Sequence, residues 1–359
     1  MIKLVCCLGI AACSVFRRKS KLLYFLLLVL MFLLAAGNIN SPDKDAYRQY
    51  YDEITTVSLH SVVEVGFQFL VVISKSLGLN FNGFLFFFIL ICFILLHIIL
   101  QRFSDNQAFA LSLYFLYPFI LDADQIRSFL GQLIILAALT EFIKEQQNKW
   151  FKYAFFVIIA SLFQQSCAVF LVYLLILLNE RKVKIITLSL GGILLFGKFL
   201  IPLIASRFSV FNLDRVTRYF SVSEAKSTWI IYAFFYIAII LFTILFTKKT
   251  KDMKVFMDYI LDTDDRKSKG NPITKINLIS LALIVLIAFN PHFERLLRPV
   301  LLLDYIVMTN NLEKRANHIN EVITIVFLIV CCLGRFATYL IGGGWTSYIV
   351  PLIYSGSII

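Results

Sequence analysis

The chain has 359 residues, of which 60% are hydrophobic, and its mean hydropathy is +0.83. A water-soluble domain of this length does not need so much apolar surface, so the composition excludes a soluble enzyme and predicts a membrane protein. The formal net charge of +12 does not indicate nucleic-acid binding, because Lys and Arg collect in the cytoplasmic loops of membrane proteins. No basic face with interleaved aromatic residues stands apart from the apolar segments.

The first apolar segments set the orientation of the chain. Arg17 and Arg18 follow the N-terminal run where a cleaved signal peptide would carry small residues, so we expect a short span or an interfacial segment there. With this pair in the cytoplasm, 21 Lys and Arg lie on the cytoplasmic side and 9 in outside loops. Residues 22–37 form the first clear span, and an outer segment follows over 38–61. Polar residues on one face of 62–78 predict an interfacial or re-entrant helix.

The later segments complete a polytopic pattern. Further apolar runs occur at 84–100, 107–121, 128–143, 151–164, 166–178, 185–204, 229–247, 276–290, 296–310 and 321–341. We therefore predict an all-α fold with a single polytopic membrane domain over 1–359 and about 11 to 12 transmembrane helices. An outer loop is expected over 205–228 and a cytoplasmic loop over 248–275. With this threading, the polar residues that interrupt or border the apolar segments lie on the outer face, where we expect a cavity.

Carboxylates and tyrosines gather in the outer segment. Asp43, Tyr47 and Tyr51 are four residues apart and share one helix face. Asp45 and Glu64 add two further carboxylates nearby. Aromatic rings beside carboxylates suit sugars, whose C–H faces stack while their hydroxyl groups need acceptors. An aromatic belt at the membrane interface explains the tyrosines as well, so both interpretations stay open.

Arg127 begins an otherwise apolar helix, shortly after Asp122 and Asp124. An arginine within the membrane is costly, and it usually faces a cavity and has a partner. Asp122 or Asp124 would be a structural partner. A diphosphate would be a functional one, because a guanidinium group binds phosphate oxygens bidentately.

Two further polar groups interrupt the apolar segments. Gln164 and Gln165 lie at the turn of a helical hairpin, where they either line a site or satisfy free backbone groups. His292, Arg295 and Arg298 begin a later span, and Arg298 either pairs with Glu294 four residues earlier or extends to the interface. The seven Cys and four His form no metal-binding pattern, and no phosphate loop or nucleophile elbow occurs. We expect neither a metal nor a cofactor.

In the order of its motifs the chain resembles the EpsG-like family of polysaccharide polymerases, which are related in role to Wzy-type O-antigen polymerases. The similarity is clearest over residues 22–180 and weaker to 310. The matching features are an Asp followed by two Tyr (Asp43 or Asp45, then Tyr47 and Tyr51), the motif Glu64-x-Gly66-Phe67, Arg127 and the hairpin segment 161–168. The chain differs from the family pattern at two places. Ser128 follows Arg127 where the family often has Gln, and Gln164 or Gln165 stands where it usually has His.

The resemblance implies a glycosyltransferase-type polymerase of the bacterial cytoplasmic (inner) membrane. It would join undecaprenyl-diphosphate-linked oligosaccharide repeat units at the outer leaflet, for the O-antigen of lipopolysaccharide, for capsule or for exopolysaccharide. Expected partners are these lipid-linked oligosaccharides, membrane lipids, a chain-length regulator and a flippase, but no nucleic acid. The sugars, the linkage and retention or inversion at the anomeric carbon stay open.

The expected roles follow from the charges. Arg127, with Arg295 or Arg298, would stabilise the leaving diphosphate. Asp43, Asp45 or Glu64 would accept the proton of the attacking hydroxyl. Substrate would be bound by Tyr47, Tyr51, Gln164, Gln165, Arg298, Asp124 and His292. Two other classes remain as alternatives: a flippase or transporter of the same lipid-linked oligosaccharide, and a membrane acyltransferase suggested by Arg295-x-x-Arg298.

Overall fold

The computed structural model describes residues 2–38, 40–144, 146–205, 228–249, 270–312, 318–341 and 344–353. Every regular element in these ranges is helical, which confirms the all-α prediction. The helices of the first half are α1 Ile2–Phe16, α2 Lys21–Ala36, α3 Pro42–Glu53, α4 Val65–Ser76, α5 Phe81–Phe103, α6 Gln107–Leu116, α7 Phe119–Asp124, α8 Ile126–Lys144 and α9 Gln146–Ser161. Those of the second half are α10 Glu180–Ala205, α11 Thr228–Lys249, α12 Pro272–Ile284, α13 Arg298–Asn310, α14 His318–Leu340 and α15 Val350–Ile353.

Tighter or wider helical turns connect several of these elements. Residues Gln165–Leu177, Val285–Ala288 and Pro291–Leu296 form 3-10 helices, and Trp345–Ile349 forms a π-helical turn. The chain divides into two compact units. The first contains Met1–Glu141, Phe151–Ala168 and Tyr305–Ile359, and the second contains Phe142–Trp150 and Val169–Asp304.

Four helices are long and apolar enough to cross a membrane, namely Phe81–Phe103, Ile126–Ile143, Trp229–Thr247 and Ile319–Leu340. Shorter apolar helices of 10–17 residues accompany them, and together they support a polytopic membrane protein. The predicted span 107–121 is broken after Leu116, because Pro118 lacks a backbone N–H and disfavours a helical conformation at Tyr117. The total number of crossings stays a prediction.

The predicted helix near 62–78 is α4, which spans 12 residues. At about 1.5 Å per residue it is about 18 Å long, well short of the roughly 30 Å hydrocarbon core. It ends at Ser76, and Gly78 shortly after it has a φ of 72°, the left-handed conformation that glycine adopts readily. Its position at the membrane interface stays a prediction. The predicted loops 205–228 and 248–275 lie largely outside the described residues.

Apolar packing in the first unit holds α4 against α5. Phe67 on α4 is fully buried, and its ring centroid lies 5.5 Å from that of Phe84 and 5.9 Å from that of Phe88, both on α5. Burying one such side chain stabilises the fold by about 1.5–3 kcal/mol.

The N-terminal α1 packs against α2 and α6, where the Ser14 and Ser112 hydroxyls share a 2.6 Å hydrogen bond.

Candidate functional site

Arg127 and Glu64 form an ion pair between the first turn of α8 and the start of α4. Arg127 Nη1 lies 2.5 Å from Glu64 Oε2, and the two side chains are 20% and 14% exposed. The structure thus gives Arg127 a carboxylate partner, Glu64, other than the Asp122 or Asp124 that the spacing suggested. Asp122 instead accepts a hydrogen bond from the Tyr114 hydroxyl at 2.8 Å.

Three aromatic rings surround the Arg127 guanidinium. Its central carbon lies 5.5 Å from the ring centroid of Tyr47 and 5.6 Å from those of Tyr50 and Phe67. Tyr47 and Phe67 are buried, whereas Tyr50 is half-buried. Rings at this distance attract a guanidinium by about 0.5–2 kcal/mol each. Tyr50 and Phe67 were not among the predicted site residues, although Tyr47 and Tyr50 are three apart on one helix face.

The hairpin turn 161–166 completes the surroundings of Glu64. The Gln165 backbone N–H donates to Glu64 Oε1 at 3.3 Å, and the Gly66 N–H donates to the Leu162 carbonyl at 2.7 Å. A Cβ on Gly66 would lie 2.8 Å from that carbonyl oxygen, so only glycine allows this approach. Gln165 acts through its backbone, since its side chain is exposed. The Glu-x-Gly-Phe step thus supplies the ion-pair partner, the close backbone contact and an aromatic wall.

The same hairpin lies against α8. A Cβ on Gly131 would lie 2.8 Å from Cys167 Sγ and 3.4 Å from Gln164 Cβ. Gln164 is half-buried in this contact. Its direct role toward a substrate stays a prediction.

Lys44 and Asp124 connect α3 to α7, next to the helix that carries Arg127. The buried Lys44 Nζ donates to the carbonyl oxygens of Ala123 at 3.1 Å and Asp124 at 3.3 Å. Burial lowers the pKa of Lys44 to about 8, which Asp124 and Asp43 partly oppose. Burial and the charge of Asp43 raise the pKa of Asp124 to about 6. Asp124 was predicted to bind substrate, but it is buried and faces α3.

Tyr47 links these groups into one cluster. Burial and the negative charge of Asp43 raise its pKa above the ordinary value, while Arg127 opposes the shift and Asp124 adds to it. All three charged groups are therefore close to the Tyr47 hydroxyl. Asp43 is half-buried at this cluster, whereas Asp45, two residues further along α3, is exposed on another face of the helix.

Tyr51 packs away from this cluster. Its hydroxyl donates to the Leu79 carbonyl oxygen, and its ring lies 5.4 Å from the ring of Phe84. Lys75 approaches the same ring at 4.9 Å. Both Tyr47 and Tyr51 are buried in this structure, and sugar binding by their rings stays a prediction.

The remaining predicted residues lie in the second unit. His292 is exposed and Arg295 half-buried on the 3-10 helix Pro291–Leu296, and Arg298 begins α13. Arg298 Nη2 lies 3.6 Å from Glu294 Oε1, which confirms the predicted pairing four residues apart. Because the Arg298 side chain is only 2% exposed, this pairing explains it better than extension to the interface. That these residues share a pocket with Arg127 stays a prediction.

These features define a polytopic helical membrane protein whose first unit carries a cluster of one arginine, carboxylates and tyrosines. Among the described residues, no group of three or more His, Cys, Asp and Glu could hold a metal ion. The chain belongs to the EpsG family, whose family model matches residues 21–352. This membership supports a polysaccharide polymerase-type role in general terms. No curated protein and no solved structure matches the chain.

Proposed function

We propose that this protein joins undecaprenyl-diphosphate-linked oligosaccharide repeat units at the outer leaflet of the bacterial cytoplasmic membrane, in the synthesis of O-antigen, capsule or exopolysaccharide. The observation that carries the proposal is the Arg127–Glu64 pair enclosed by Tyr47, Tyr50 and Phe67. A fixed, partly exposed guanidinium beside aromatic rings suits a ligand that combines phosphate with sugar.

In the proposed reaction a hydroxyl oxygen of one repeat unit attacks the anomeric carbon of another. The new glycosidic C–O bond forms as the bond from that carbon to the diphosphate oxygen breaks, and undecaprenyl diphosphate leaves with the electron pair. Arg127 stabilises the negative charge that develops on the diphosphate, because a preorganised cation in a site with little water lowers the barrier strongly. Glu64 holds the guanidinium in position through one of its nitrogens.

A carboxylate accepts the proton of the attacking hydroxyl, and Asp43 fits this role best. It is half-buried and acts electrostatically on Tyr47, whose hydroxyl Arg127 also hydrogen-bonds. Glu64 is engaged by Arg127, and Asp124 is buried behind α3. Asp45 is exposed on another face of the helix. A general base must reach the proton it abstracts, and accessibility therefore favours Asp43.

The other predicted residues complete the proposal. Arg295 would add a second positive charge to the leaving diphosphate, and Arg298, His292, Gln164 and Gln165 would contact the oligosaccharide. The glycosyltransferase-type chemistry, the lipid carrier and the leaflet all belong to this proposal.

Replacement of Arg127 tests the proposed function. Arg127→Ala should abolish long polymer while single repeat units still reach the cell surface, as seen by gel electrophoresis of extracted polysaccharide and by surface labelling. Arg102→Ala is the matched control, since Arg102 is exposed in the same unit and pairs with Glu141 at 2.8 Å. Loss of surface units in Arg127→Ala would favour a flippase. Normal polymer length in that variant would overturn the proposal.

A further inference from the structure

We propose that Asp304 and Asn277 form a buried binding site for one small monovalent cation, either a proton or a sodium ion, within the second unit. The inference does not rest on the polymerase function. Asp304 on α13 and Asn277 on α12 are both fully buried. Asn277 Nδ2 donates to Asp304 Oδ1 at 2.8 Å.

Each side chain keeps one oxygen without a hydrogen-bond donor. Asn277 Nδ2 also donates to the Ile273 carbonyl at 3.1 Å, so both of its hydrogens point to acceptors and the orientation of the amide is fixed. Asn277 Oδ1 and Asp304 Oδ2 are buried and accept no hydrogen bond. Buried polar atoms normally have a partner, and two such oxygens on contacting side chains point to a ligand that carries positive charge.

The neighbours of the Asp304 carboxyl are polar and uncharged. Thr243 on α11 lies beside it, and the Thr243 hydroxyl donates to the Ile239 carbonyl at 2.9 Å. Thr243 also forms a side-chain hydrogen bond with the Asp304 carboxyl. Tyr173 acts on Asp304 electrostatically, and its hydroxyl shares a 2.8 Å hydrogen bond with Ser280.

Three cations of this unit contact other groups. Lys275 Nζ donates to the carbonyl oxygens of Ile176 at 2.6 Å and Leu178 at 2.8 Å. Arg298 contacts Glu294, and Lys184 contacts Glu180 at 2.7 Å. Within the described residues, Asp304 is thus a buried carboxyl group with uncharged neighbours.

Burial of an ionised carboxylate among uncharged groups is strongly unfavourable, and a bound positive charge removes the penalty. A proton would neutralise Asp304 at Oδ2, the oxygen that accepts no hydrogen bond. A sodium ion would meet oxygens of Asp304, Asn277 and Thr243, the hard ligands that such an ion prefers. A divalent ion would leave excess charge beside a single carboxylate.

Carbodiimide labelling of the wild-type chain in lipid nanodiscs tests the site. Dicyclohexylcarbodiimide modifies protonated carboxyl groups in apolar surroundings, and mass spectrometry locates the product. Labelling of Asp304 that falls about tenfold per pH unit on the alkaline side supports the proton. Suppression by sodium chloride but not by choline chloride supports the sodium ion. Glu294 is the control, because it is buried but paired with Arg298 and should stay unlabelled.

Thermal unfolding provides a second measurement. The midpoint of the wild type should rise with sodium chloride against choline chloride if sodium binds, or fall with rising pH if a proton binds. Asp304→Asn is neutral, so it should lose the sodium dependence or the part of the pH dependence that Asp304 contributes. The proposal is overturned if Asp304 is never labelled and the midpoints of wild type and Asp304→Asn depend on sodium and pH in the same way. Labelling needs the wild type only, so a variant that fails to fold leaves the test intact.

Discussion

Lys44 of α3 contacts the C-terminus of α7, and Asp124 of α7 contacts the N-terminus of α3. Lys44 Nζ contacts the backbone carbonyl of Asp124 at the end of α7, and the Asp124 carboxyl lies at the N-terminus of α3. A cation at a helix C-terminus and an anion at an N-terminus both complement the helix dipole. Because α8 begins at Ile126, this double contact also fixes Arg127 relative to Tyr47.

Alkaline pH should stabilise the protein through Lys44. Burial lowers the pKa of Lys44 from 10.5 to about 8. Between these values the unfolded chain binds more protons than the folded one, so stability rises with pH. Lys44→Met should remove this rise in thermal midpoints measured across that range. Lys21→Met replaces an exposed lysine and should keep the wild-type slope; equal slopes in all three proteins would contradict the prediction.

In the acidic range, stability should fall as the pH rises, and Asp124 causes this fall. Burial, with the charge of Asp43, raises its pKa from 3.8 to about 6. Between these values the folded chain holds the extra proton, so stability falls as pH rises and the loss is complete above about 6. In Asp124→Asn the thermal midpoint should depend less on pH in this range. An unchanged dependence in the variant would mean that other carboxyl groups cause it.

Glu64→Gln should destabilise the first unit and shorten the polymer. The variant keeps the shape of the side chain but leaves Arg127 without its counter-charge. Breaking a fully buried pair costs about 3–5 kcal/mol, and partial exposure reduces the expected loss to about 1–3 kcal/mol. Denaturation in detergent would measure the loss. Glu53→Gln is the control, because Glu53 is exposed and accepts a hydrogen bond from Gln49; an equal effect of both variants would argue against a special role for Glu64.

Gly66→Ala should push the N-terminus of α4 away from the hairpin turn 161–166 and destabilise the protein. The added Cβ would lie 2.8 Å from the Leu162 oxygen, so backbone must shift, at a cost of about 1–3 kcal/mol. Gly9→Ala is the matched control, since no atom lies within 4 Å of its added Cβ on α1. Helix propensity predicts a gain of about 0.5–1 kcal/mol there. Thermal midpoints should therefore move in opposite directions, and a neutral Gly66→Ala would contradict the close approach.

The sequence indicates the long helices well, because an apolar run is a local signal. The predicted span 84–100 falls within Phe81–Phe103, and the predicted span 321–341 overlaps Ile319–Leu340 except at its last residue. The partner of Arg127 was not predictable in this way. Glu64 lies 63 residues away, whereas spacing arguments compare only near neighbours and therefore favoured Asp122 or Asp124. Gly66 shows the same limit, since its contact with Leu162 exists only after folding.

Asp43 and Asp45 allow a direct test of the proposed base. Both lie in the first turn of α3, so both stabilise its dipole and their neutral amides should cost similar stability. Asp43 is half-buried and acts electrostatically on Tyr47, which contacts Arg127, whereas Asp45 is exposed. Asp43→Asn should therefore lower the polymerisation rate about 100-fold or more, the usual contribution of a general base, while Asp45→Asn keeps most of it. Rates from purified lipid-linked repeat units would decide. Equal rates in the two variants would place the base elsewhere, and a larger loss in Asp45→Asn would reverse the assignment.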